Sequence, residues 1–347
     1  MTVTETSPDL PGRTATAGRA RNPHWGTSTS AAVGIAALVV AALASLCIGN
    51  RWVDPLALLD GSDPDNVFMD ARLLRTGVAA LLGAAFGLAG AAMQGLTRNP
   101  LADTGLLGVN AGAAFAMVAG ITYVGTASIG GYIWFGFIGA GVAAVGVHLI
   151  ASLGRGGATP AKLIIAGAAV TAALTSWTTA ILLMSRETID ATRRWQIGSV
   201  AGKQTDALLT ALPFILVGFA LVLSSARVLN ALALGDDLAR GLGRNTARDR
   251  AMVGLGLVLL VGASVALAGP IAFLGLLVPH LVRMQVGGDY ARILPFSALW
   301  GAILMITADT VGRFVLPPSE IQVGVMTAVL GAPVFLVMIR RGRLGSL

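Results

Sequence analysis

Charged side chains are scarce in this chain of 347 residues. Lysine and arginine together number 24, and aspartate and glutamate 17, so charged residues make up 12% of the sequence. A soluble domain has about twice that share, roughly 25%. Hydrophobic residues reach 55%, which leaves too few polar groups to cover the surface of a water-soluble fold. The composition excludes a soluble enzyme, a nucleic-acid binder and a disordered scaffold as descriptions of the whole chain.

Residues that carry chemistry are also missing. A single cysteine, Cys47, rules out a disulfide framework and a cysteine-rich metal site. There is no G-x-x-x-x-G-K-[ST] nucleotide loop, because the only Gly-Lys pair, Gly202-Lys203, is followed by Gln204. Zinc-protease H-E-x-x-H and hydrolase G-x-S-x-G motifs are absent as well. We therefore expect a chain that is not an enzyme and holds no metal or cofactor of its own.

The apolar residues are concentrated in long runs, each close to the roughly 18–20 residues that cross a bilayer as a helix. We predict an all-α polytopic membrane protein with ten transmembrane helices, the third and eighth of them short. The predicted spans are 30–49, 75–95, 105–123, 131–152, 163–184, 207–224, 251–268, 271–284, 293–315 and 322–339. Residues 1–28 are predicted to be a disordered tail, 29–343 one membrane domain and 344–347 a short C-terminal tail.

The distribution of charge among the loops predicts the orientation. With a cytoplasmic N-terminus, most lysines and arginines fall in inner loops, as the positive-inside rule requires. Both termini are then cytoplasmic. Asp309 is the one acid well inside a predicted span, whereas ion-coupled carriers usually need more than one. It precedes Arg313 by four residues, a spacing that allows the two to pair on one helix face, so we expect a structural role for it.

One segment, residues 72–102, encloses the second predicted span. Arg72 and Arg75, three residues apart, share one face of a helix start at the outer surface, although interfacial anchoring would give the same pattern. Asn99-Pro100 is a strong helix stop, because proline pushes the preceding residue out of helical geometry.

The cytoplasmic loop 225–250 contains a short helix pattern. Gly235 followed by Asp236 and Asp237 indicates a helix start whose acids suit the positive end of the dipole, and Gly241 and Gly243 bracket its end. Such a helix has nothing of its own chain to bury against. It is either a docking element for another protein or a helix lying on the membrane surface.

Two further segments interrupt the last predicted spans with glycine and proline. They run from Ala268-Gly269-Pro270 to Pro279-His280 and from Pro317-Pro318-Ser319-Glu320 to Gly331-Ala332-Pro333. In this order and spacing, the four segments resemble the permease subunits of ABC importers for iron–siderophores and vitamin B12. The resemblance runs from about residue 30 to 343. Within that family, Asp70-Ala71-Arg72 and the stretch 96–112 look most like a ferric-enterobactin permease subunit.

The resemblance implies roles for individual residues. Arg72, Arg75 and Arg313 would pair with acidic residues on the two lobes of a substrate-binding protein. Residues 235–243 would be the coupling helix that sits in a groove of the ATPase, with Gly235, Asp236, Asp237, Ala239, Arg240, Gly241, Leu242 and Gly243 as its site residues. The inner gate would map onto Asn99 and Leu101, and the central path onto Thr171, Thr175 and Ser176.

The resemblance also implies partners. It predicts a second permease subunit, with a paralogous heterodimer favoured over a homodimer, two ATPase subunits that bind Mg-ATP, and an extracytoplasmic binding protein loaded with ferric siderophore. The location would be the cytoplasmic (inner) membrane of a bacterium, and the cargo a catecholate, enterobactin-like chelate. A hydroxamate siderophore, haem or a corrinoid remain alternatives, as do an ion-coupled transporter and a purely structural membrane subunit.

Overall fold

A computed structural model describes residues 26–49, 54, 66–125, 129–154, 159–184 and 186–340. Regular structure in these ranges is helical. The predictions for most of the N-terminal tail, for much of the first outer loop and for the C-terminal tail fall outside the described residues.

Thirteen α-helices make up the described part of the chain, joined by a short 3₁₀ turn at Thr104–Leu107 and a π turn at Gly120–Val124. In chain order they are α1 (Thr27–Cys47), α2 (Asn66–Thr97), α3 (Val109–Ala119), α4 (Ile129–Ser152), α5 (Pro160–Met184), α6 (Arg186–Gln196), α7 (Thr205–Ser224), α8 (Ala226–Ala233), α9 (Asp236–Gly241), α10 (Thr246–Ala268), α11 (Leu274–Val286), α12 (Tyr290–Val315) and α13 (Val323–Arg340).

The all-α membrane architecture predicted from the sequence is confirmed. Seven of the described helices are long and apolar enough to cross a membrane, namely α1, α2, α4, α5, α7, α10 and α12. The other three predicted spans correspond to shorter apolar helices at Val109–Val124, Leu274–Val286 and Val323–Val337. The third and eighth spans are short because a 3₁₀ turn precedes α3 and the Gly269-Pro270 segment precedes α11.

Close glycine contacts fix the centre of the bundle. A Cβ on Gly83 would collide with the backbone of Gly301 on α12, and one on Gly87 with the carbonyl of Ser297 on the same helix. One turn further along α2, Gly90 lies against the backbone of Gly275 on α11. Small residues let membrane helices approach this closely, so α2, α11 and α12 form one tightly packed unit.

Two helices are absent from the sequence predictions. α6 occupies the outer connection between α5 and α7, and α8 occupies the start of the loop 225–250. Neither contains a run long enough to span a bilayer, so a search for long apolar segments passes over both. α2 also begins at Asn66, well before the predicted start at residue 75, which places Arg72 and Arg75 inside the helix.

Candidate functional site

Five charged side chains meet where α1 ends, α2 begins and α12 ends; we call Arg72, Arg75, Asp309, Arg313 and Glu320 the outer arginine cluster. Arg75 donates to both carboxylate oxygens of Asp309, from Nε to Oδ2 at 2.9 Å and from Nη2 to Oδ1 at 2.8 Å. Its Nη1 donates to Glu320 Oε2 at 2.8 Å. Arg313 Nε lies 3.3 Å from Asp309 Oδ2. The carboxylate of Asp309 is therefore held between two guanidinium groups.

Arg313 departs from the position expected of it. The side chain is only 3% exposed, because its guanidinium turns back into the bundle. There it donates to the Ser45 carbonyl at 3.1 Å and the Ser45 hydroxyl at 2.7 Å. The side chain of Arg313 thus lies below the outer surface expected for it, and its contact with a binding protein stays a prediction. The predicted pairing of Asp309 with Arg313 along one helix face is confirmed.

Arg72 and Arg75 lie nearer to the surface. Arg72 donates from Nη1 to the carbonyls of Leu46 and Cys47 at 2.7 and 3.0 Å, which satisfies the last turn of α1. The Arg75 side chain is 16% exposed. Whether either residue receives a binding protein stays a prediction, although both remain within reach of the outer surface.

A cavity of about 390 Å³ opens beside this cluster. Arg72, Arg75 and Arg313 line it together with Lys203, which lies between α6 and α7, and Glu320. Burial lowers the pKa of the Lys203 amine to about 8, since an ammonium group loses hydration there. With four cationic groups and one carboxylate in its lining, the cavity favours an acidic group.

The opposite end of α2 closes in a defined turn. The amide of Arg98 donates to the Gly95 carbonyl and that of Asn99 to the Gln94 carbonyl, at 3.4 and 3.2 Å. This pair of bonds is a Schellman motif, in which the first residue after the helix has a positive φ and is therefore usually glycine. Here Arg98 takes that position, with φ of 50°. The helix stop predicted at Asn99-Pro100 lies at this point.

The turn continues as a hydrogen-bonded unit through residue 102. The Asn99 side-chain oxygen accepts from the Leu101 amide at 2.9 Å, and the Asn99 carbonyl accepts from the Ala102 amide at 3.0 Å. Ala102 is fully buried, whereas Leu101 is 45% exposed. We call residues 98–102 the gate turn, because the two predicted gate residues lie in it.

Helix α9 occupies the stretch predicted to be a coupling helix. Gly235 precedes it with φ of 104°, a conformation open to glycine and strained for other residues. Gly243, with φ of 78°, closes it in a second Schellman motif, with Gly243 N–H to the Arg240 carbonyl and Arg244 N–H to the Ala239 carbonyl. The predicted start and end of the helix are thus confirmed.

The outward side of α9 is apolar. Leu238 and Leu242 are 62% and 66% exposed, and Leu234, at the end of α8, is 58% exposed. Ala239 is fully buried and anchors the opposite side. Leu238 lies within α9, Leu242 caps its C-terminal end, and Leu234 ends α8 just before the break at Gly235. Three exposed leucines therefore lie on and beside this short helix.

The two acids at the start of α9 differ sharply. The Asp236 carboxylate accepts from Arg98 Nη2 at 2.7 Å and from Arg250 Nη2 at 2.7 and 2.9 Å, so it links α9 to the ends of α2 and α10. The Asp237 side chain is fully exposed and lies 3.4 Å from Arg240 of the same helix. The sequence indicated helix-start acids, but nothing in it pointed to Arg98 as a partner.

Helix α8 is held by a reciprocal pair. Asn230 Nδ2 donates to Asp289 Oδ1 at 2.7 Å, and Asn230 Oδ1 accepts from the Tyr290 amide at 3.0 Å. Asp289 also caps α12 by accepting from the Ala291 amide. The hydrogen bond from Asn230 is the main cause of the lowered pKa of Asp289. The loop that carries α9 is therefore fixed on one side by α12.

The predicted path residues lie on α5. Of the seven long helices, α5 is the least buried by its neighbours, with only 22% of its most apolar stretch buried. Thr175 and Ser176 are exposed and Thr171 is half-buried beside Gly108. The Ser176 hydroxyl donates to the Ala172 carbonyl of its own helix at 2.9 Å. The structure thus leaves one face of α5 exposed on one side of the bundle. This face is mostly apolar and includes small hydroxyl side chains.

Among the described residues, no group of three or more His, Cys, Asp and Glu side chains is placed to hold a metal ion. What the arrangement offers instead is a charged outer cavity, exposed leucines at α9 and a largely uncovered α5.

Comparison with known proteins gives consistent matches. The model of the FecCD transport family matches residues 37–341. The Fe(3+)-citrate import system permease protein YfmD of Bacillus subtilis is 42% identical over 83% of this chain and 85% of its own length. The ferric enterobactin transport system permease protein FepD of Escherichia coli is 40% identical over 89% of this chain and 94% of its own length.

A solved structure resembles the whole fold. It is described as a metal-chelate type ABC transporter in an inward-facing conformation, and it superposes with a TM-score of 0.81 at 28% identity. The superposition covers 91% of this chain and 99% of that one.

Proposed function

Since the chain belongs to the FecCD transport family, we propose that it is the membrane-spanning permease subunit of an ATP-binding-cassette importer that carries ferric siderophore from an extracytoplasmic binding protein into the cytoplasm. It performs no bond chemistry itself. ATP hydrolysis belongs to separate subunits, and this chain converts their cycle into alternating access.

The observation that carries this proposal is helix α9. Leu238 on this six-residue helix and Leu234 and Leu242 beside its two ends are exposed on the predicted cytoplasmic side. Burying one such side chain in a partner contributes about 1.5–3 kcal/mol, so these leucines can anchor a docking protein. An amphipathic helix in a groove is a recurring recognition mode. We assign the groove to the ATPase subunit.

The second partner is another permease subunit. Helix α5 leaves most of its apolar face uncovered, and pairing with a second subunit across this face would enclose a path lined by Thr171, Thr175 and Ser176. The paths of large chelates need wide cavities with small, uncharged side chains, and these residue types suit that requirement. The resemblance to an enterobactin permease subunit favours a paralogous partner over an identical one.

The third partner docks on the outside. The cavity beside the outer arginine cluster presents Arg72 and Arg75 near the surface, and acidic residues of a binding protein would pair with them. Exposed pairs of this kind fix orientation and speed association more than they add affinity. Arg313 supports the cluster from below rather than contacting the partner, because it is buried.

For the cargo we propose a catecholate chelate of the enterobactin type. The support is the 40% identity to a ferric enterobactin permease together with the 70–72 and 96–112 stretches that resemble it. A citrate permease is as similar, so the cargo must be tested directly. Vitamin B12 and haem are the alternatives within the same class of importer.

An ion-coupled mechanism is disfavoured by the geometry of Asp309. Both of its carboxylate oxygens accept from Arg75, and Arg313 lies 3.3 Å away. A carboxylate that carries protons or sodium ions through a transport cycle must release its partners in each turn. Two guanidinium groups hold this one in place instead.

The proposal is tested in proteoliposomes that contain this chain, its partner permease and the ATPase, with the loaded binding protein on the outer side. The panel of cargoes is ferric enterobactin, ferric citrate, a ferric hydroxamate, haem and cobalamin. We expect uptake of ferric enterobactin that requires ATP and stops with a catalytically inactive ATPase. Uptake without any ATPase would overturn the importer assignment, and uptake of another member of the panel alone would overturn the cargo.

A further inference from the structure

The contact between α9 and the gate turn has a consequence for how movement is transmitted. We propose that Arg98 is a positioning residue that ties the gate turn to α9 through Asp236, so that displacement of α9 moves the cytoplasmic end of α2. This inference rests on the proposed function and adds to it the residue through which the ATPase stroke reaches the gate.

The first step of the argument is the conformation of Arg98. It occupies the closing position of a Schellman motif with φ of 50°, where glycine is favoured and other residues are strained. The equivalent position at the end of α9 is indeed a glycine, Gly243. A glycine at position 98 would adopt this conformation without strain. We therefore infer that the arginine side chain has a role there that offsets the strain.

The second step is what that side chain contacts. Arg98 Nη2 donates to Asp236 Oδ1 at 2.7 Å, and its Nη1 lies 3.7 Å from where a Cβ on Gly235 would be. The guanidinium therefore covers the start of α9 directly. Charge-assisted hydrogen bonds of this length are about twice as strong as neutral ones, and the pair is partly shielded, with the two side chains 33% and 25% exposed.

The third step is the connection onward to the gate. Arg98 adjoins Asn99, whose side chain and carbonyl hold the amides of Leu101 and Ala102. Because these bonds make the turn one unit, a pull on Arg98 is transmitted to Leu101 without passing through a flexible linker. Arg250 holds the same carboxylate from the side of α10, which keeps Asp236 aimed at α2 while α9 moves.

Asp237 supplies a matched comparison within the same helix. It is adjacent in sequence and carries the same charge, yet its contact is with Arg240 of α9 itself. A role for negative charge at the helix start in general would involve both acids. A mechanical link to the gate involves Asp236 alone.

The principal variant is Arg98→Gly, which keeps the favoured turn geometry and removes only the ion pair. In the reconstituted complex we expect it to assemble and hydrolyse ATP as wild type does, while the chelate transported per ATP falls about tenfold, the factor that corresponds to losing one charge-assisted hydrogen bond. Arg98→Lys, which retains a cation, should recover part of the loss. Asp249→Asn, which removes a comparable ion pair between Arg244 and Asp249 at 2.8 Å outside the coupling helix, should match wild type.

Two results would overturn the link. One is an Arg98→Gly complex that transports as much chelate per ATP as wild type. The other is an Asp249→Asn complex that loses as much as Arg98→Gly, which would indicate that breaking any ion pair of this loop has the same effect. Failure of the wild-type complex to transport with ATP would instead count against the proposed function, so the two failures are distinguishable.

A measurement on the otherwise wild-type chain covers the case in which Arg98→Gly does not assemble. Spin labels are placed at Leu101 and Asp237, both exposed, after Cys47 is replaced by serine, and labelled complexes are first checked for transport. We expect the distance between the labels to stay constant between the nucleotide-free and ATP-bound complexes while the distance between the two Leu101 labels of the dimer changes. Independent movement of the labels within one subunit would refute the proposal.

Discussion

Substitution of Asp309 by asparagine tests the reasoning about the outer arginine cluster most directly. The change keeps the shape of the side chain and removes one charge. Arg75 retains Glu320 as a partner. In the described part of the chain, Arg313, which is 3% exposed, keeps the neutral oxygens of Ser45 and Thr310. Among the described residues, the buried cation then has no carboxylate in direct contact with it.

The size of the effect follows from this burial. Removing one partner of a buried ion pair costs about 3–5 kcal/mol, because the remaining charge is left uncompensated. The neutral acceptors that remain on Arg313 bring the expected loss in the free energy of unfolding towards the lower end of that range. Glu320→Gln is the matched control: the chemical change is the same, but the side chain is 34% exposed, and an exposed pair is worth about 0–1 kcal/mol.

The assay is equilibrium unfolding of the purified permease in mixed detergent and denaturant, with wild type, both single variants and the double variant Asp309→Asn/Arg313→Gln. The double variant should lose about 0.5–3 kcal/mol less than the sum of its two single changes, because the uncompensated cation is gone. Equal losses for Asp309→Asn and Glu320→Gln would refute the argument. In proteoliposomes, Asp309→Asn that folds should still transport with ATP, whereas an ion-coupled carrier would stop.

Three further outcomes follow from the same geometry. The pKa of Lys203 is lowered to about 8 from its ordinary 10.5, so burial of its ammonium group opposes folding at neutral pH. The free energy of unfolding should therefore rise between about pH 8 and 10.5. Lys203→Met should abolish that rise when unfolding is measured as a function of pH. Leu238→Ser should weaken association with the ATPase about tenfold, measured by co-purification and titration, while the stability of the isolated permease stays unchanged, and Leu242→Ser should behave alike. Asp289→Ala should lower the free energy of unfolding by about 1 kcal/mol, because α12 loses its cap. The hydrogen bond from Asn230 lowers the pKa of Asp289, so the carboxylate should stabilise the fold at neutral pH. Unfolding measured at decreasing pH should show this contribution disappear as the pH falls through the folded pKa of Asp289.

The sequence predicts the elements whose signal is local. Ten apolar segments, two of them short, are visible because bilayer thickness sets a minimum length. The end of α2 is marked by Asn99-Pro100, and the start and end of α9 by Gly235, the acids after it and Gly243. Each of these features depends on residues within a few positions of one another.

The features that escaped prediction depend on distant partners or on weak patterns. Arg313 is buried because α1 brings Ser45 to it from 268 positions away, and no local pattern in α12 reports that. α6 and α8 are too short and too polar to stand out among long apolar runs. The partner of Asp236 was missed for the same reason as that of Arg313, since Arg98 lies 138 positions earlier.

The position of α2 connects these observations into one mechanism. The most apolar stretch of α2 is 78% buried. Arg75 and Arg98 are separated by about 35 Å of helix at 1.5 Å per residue. This is slightly more than the roughly 30 Å hydrocarbon core of a bilayer. One helix therefore has the outer arginine cluster at one end and the gate turn at the other.

Close glycine contacts prevent α2 from sliding past its neighbours. Gly87 packs against α12 and Gly90 against α11 at backbone distance, and packed interfaces of this kind shift between discrete arrangements rather than deforming continuously. A pull at Arg98 would thus tilt α2, α11 and α12 together. The open face of α5 is the surface against which these three helices would move. At the outer end, Asp309 of α12 pairs with Arg75 of α2 and with Arg313 of its own helix. These ion pairs would keep α2 and α12 together while the helices tilt.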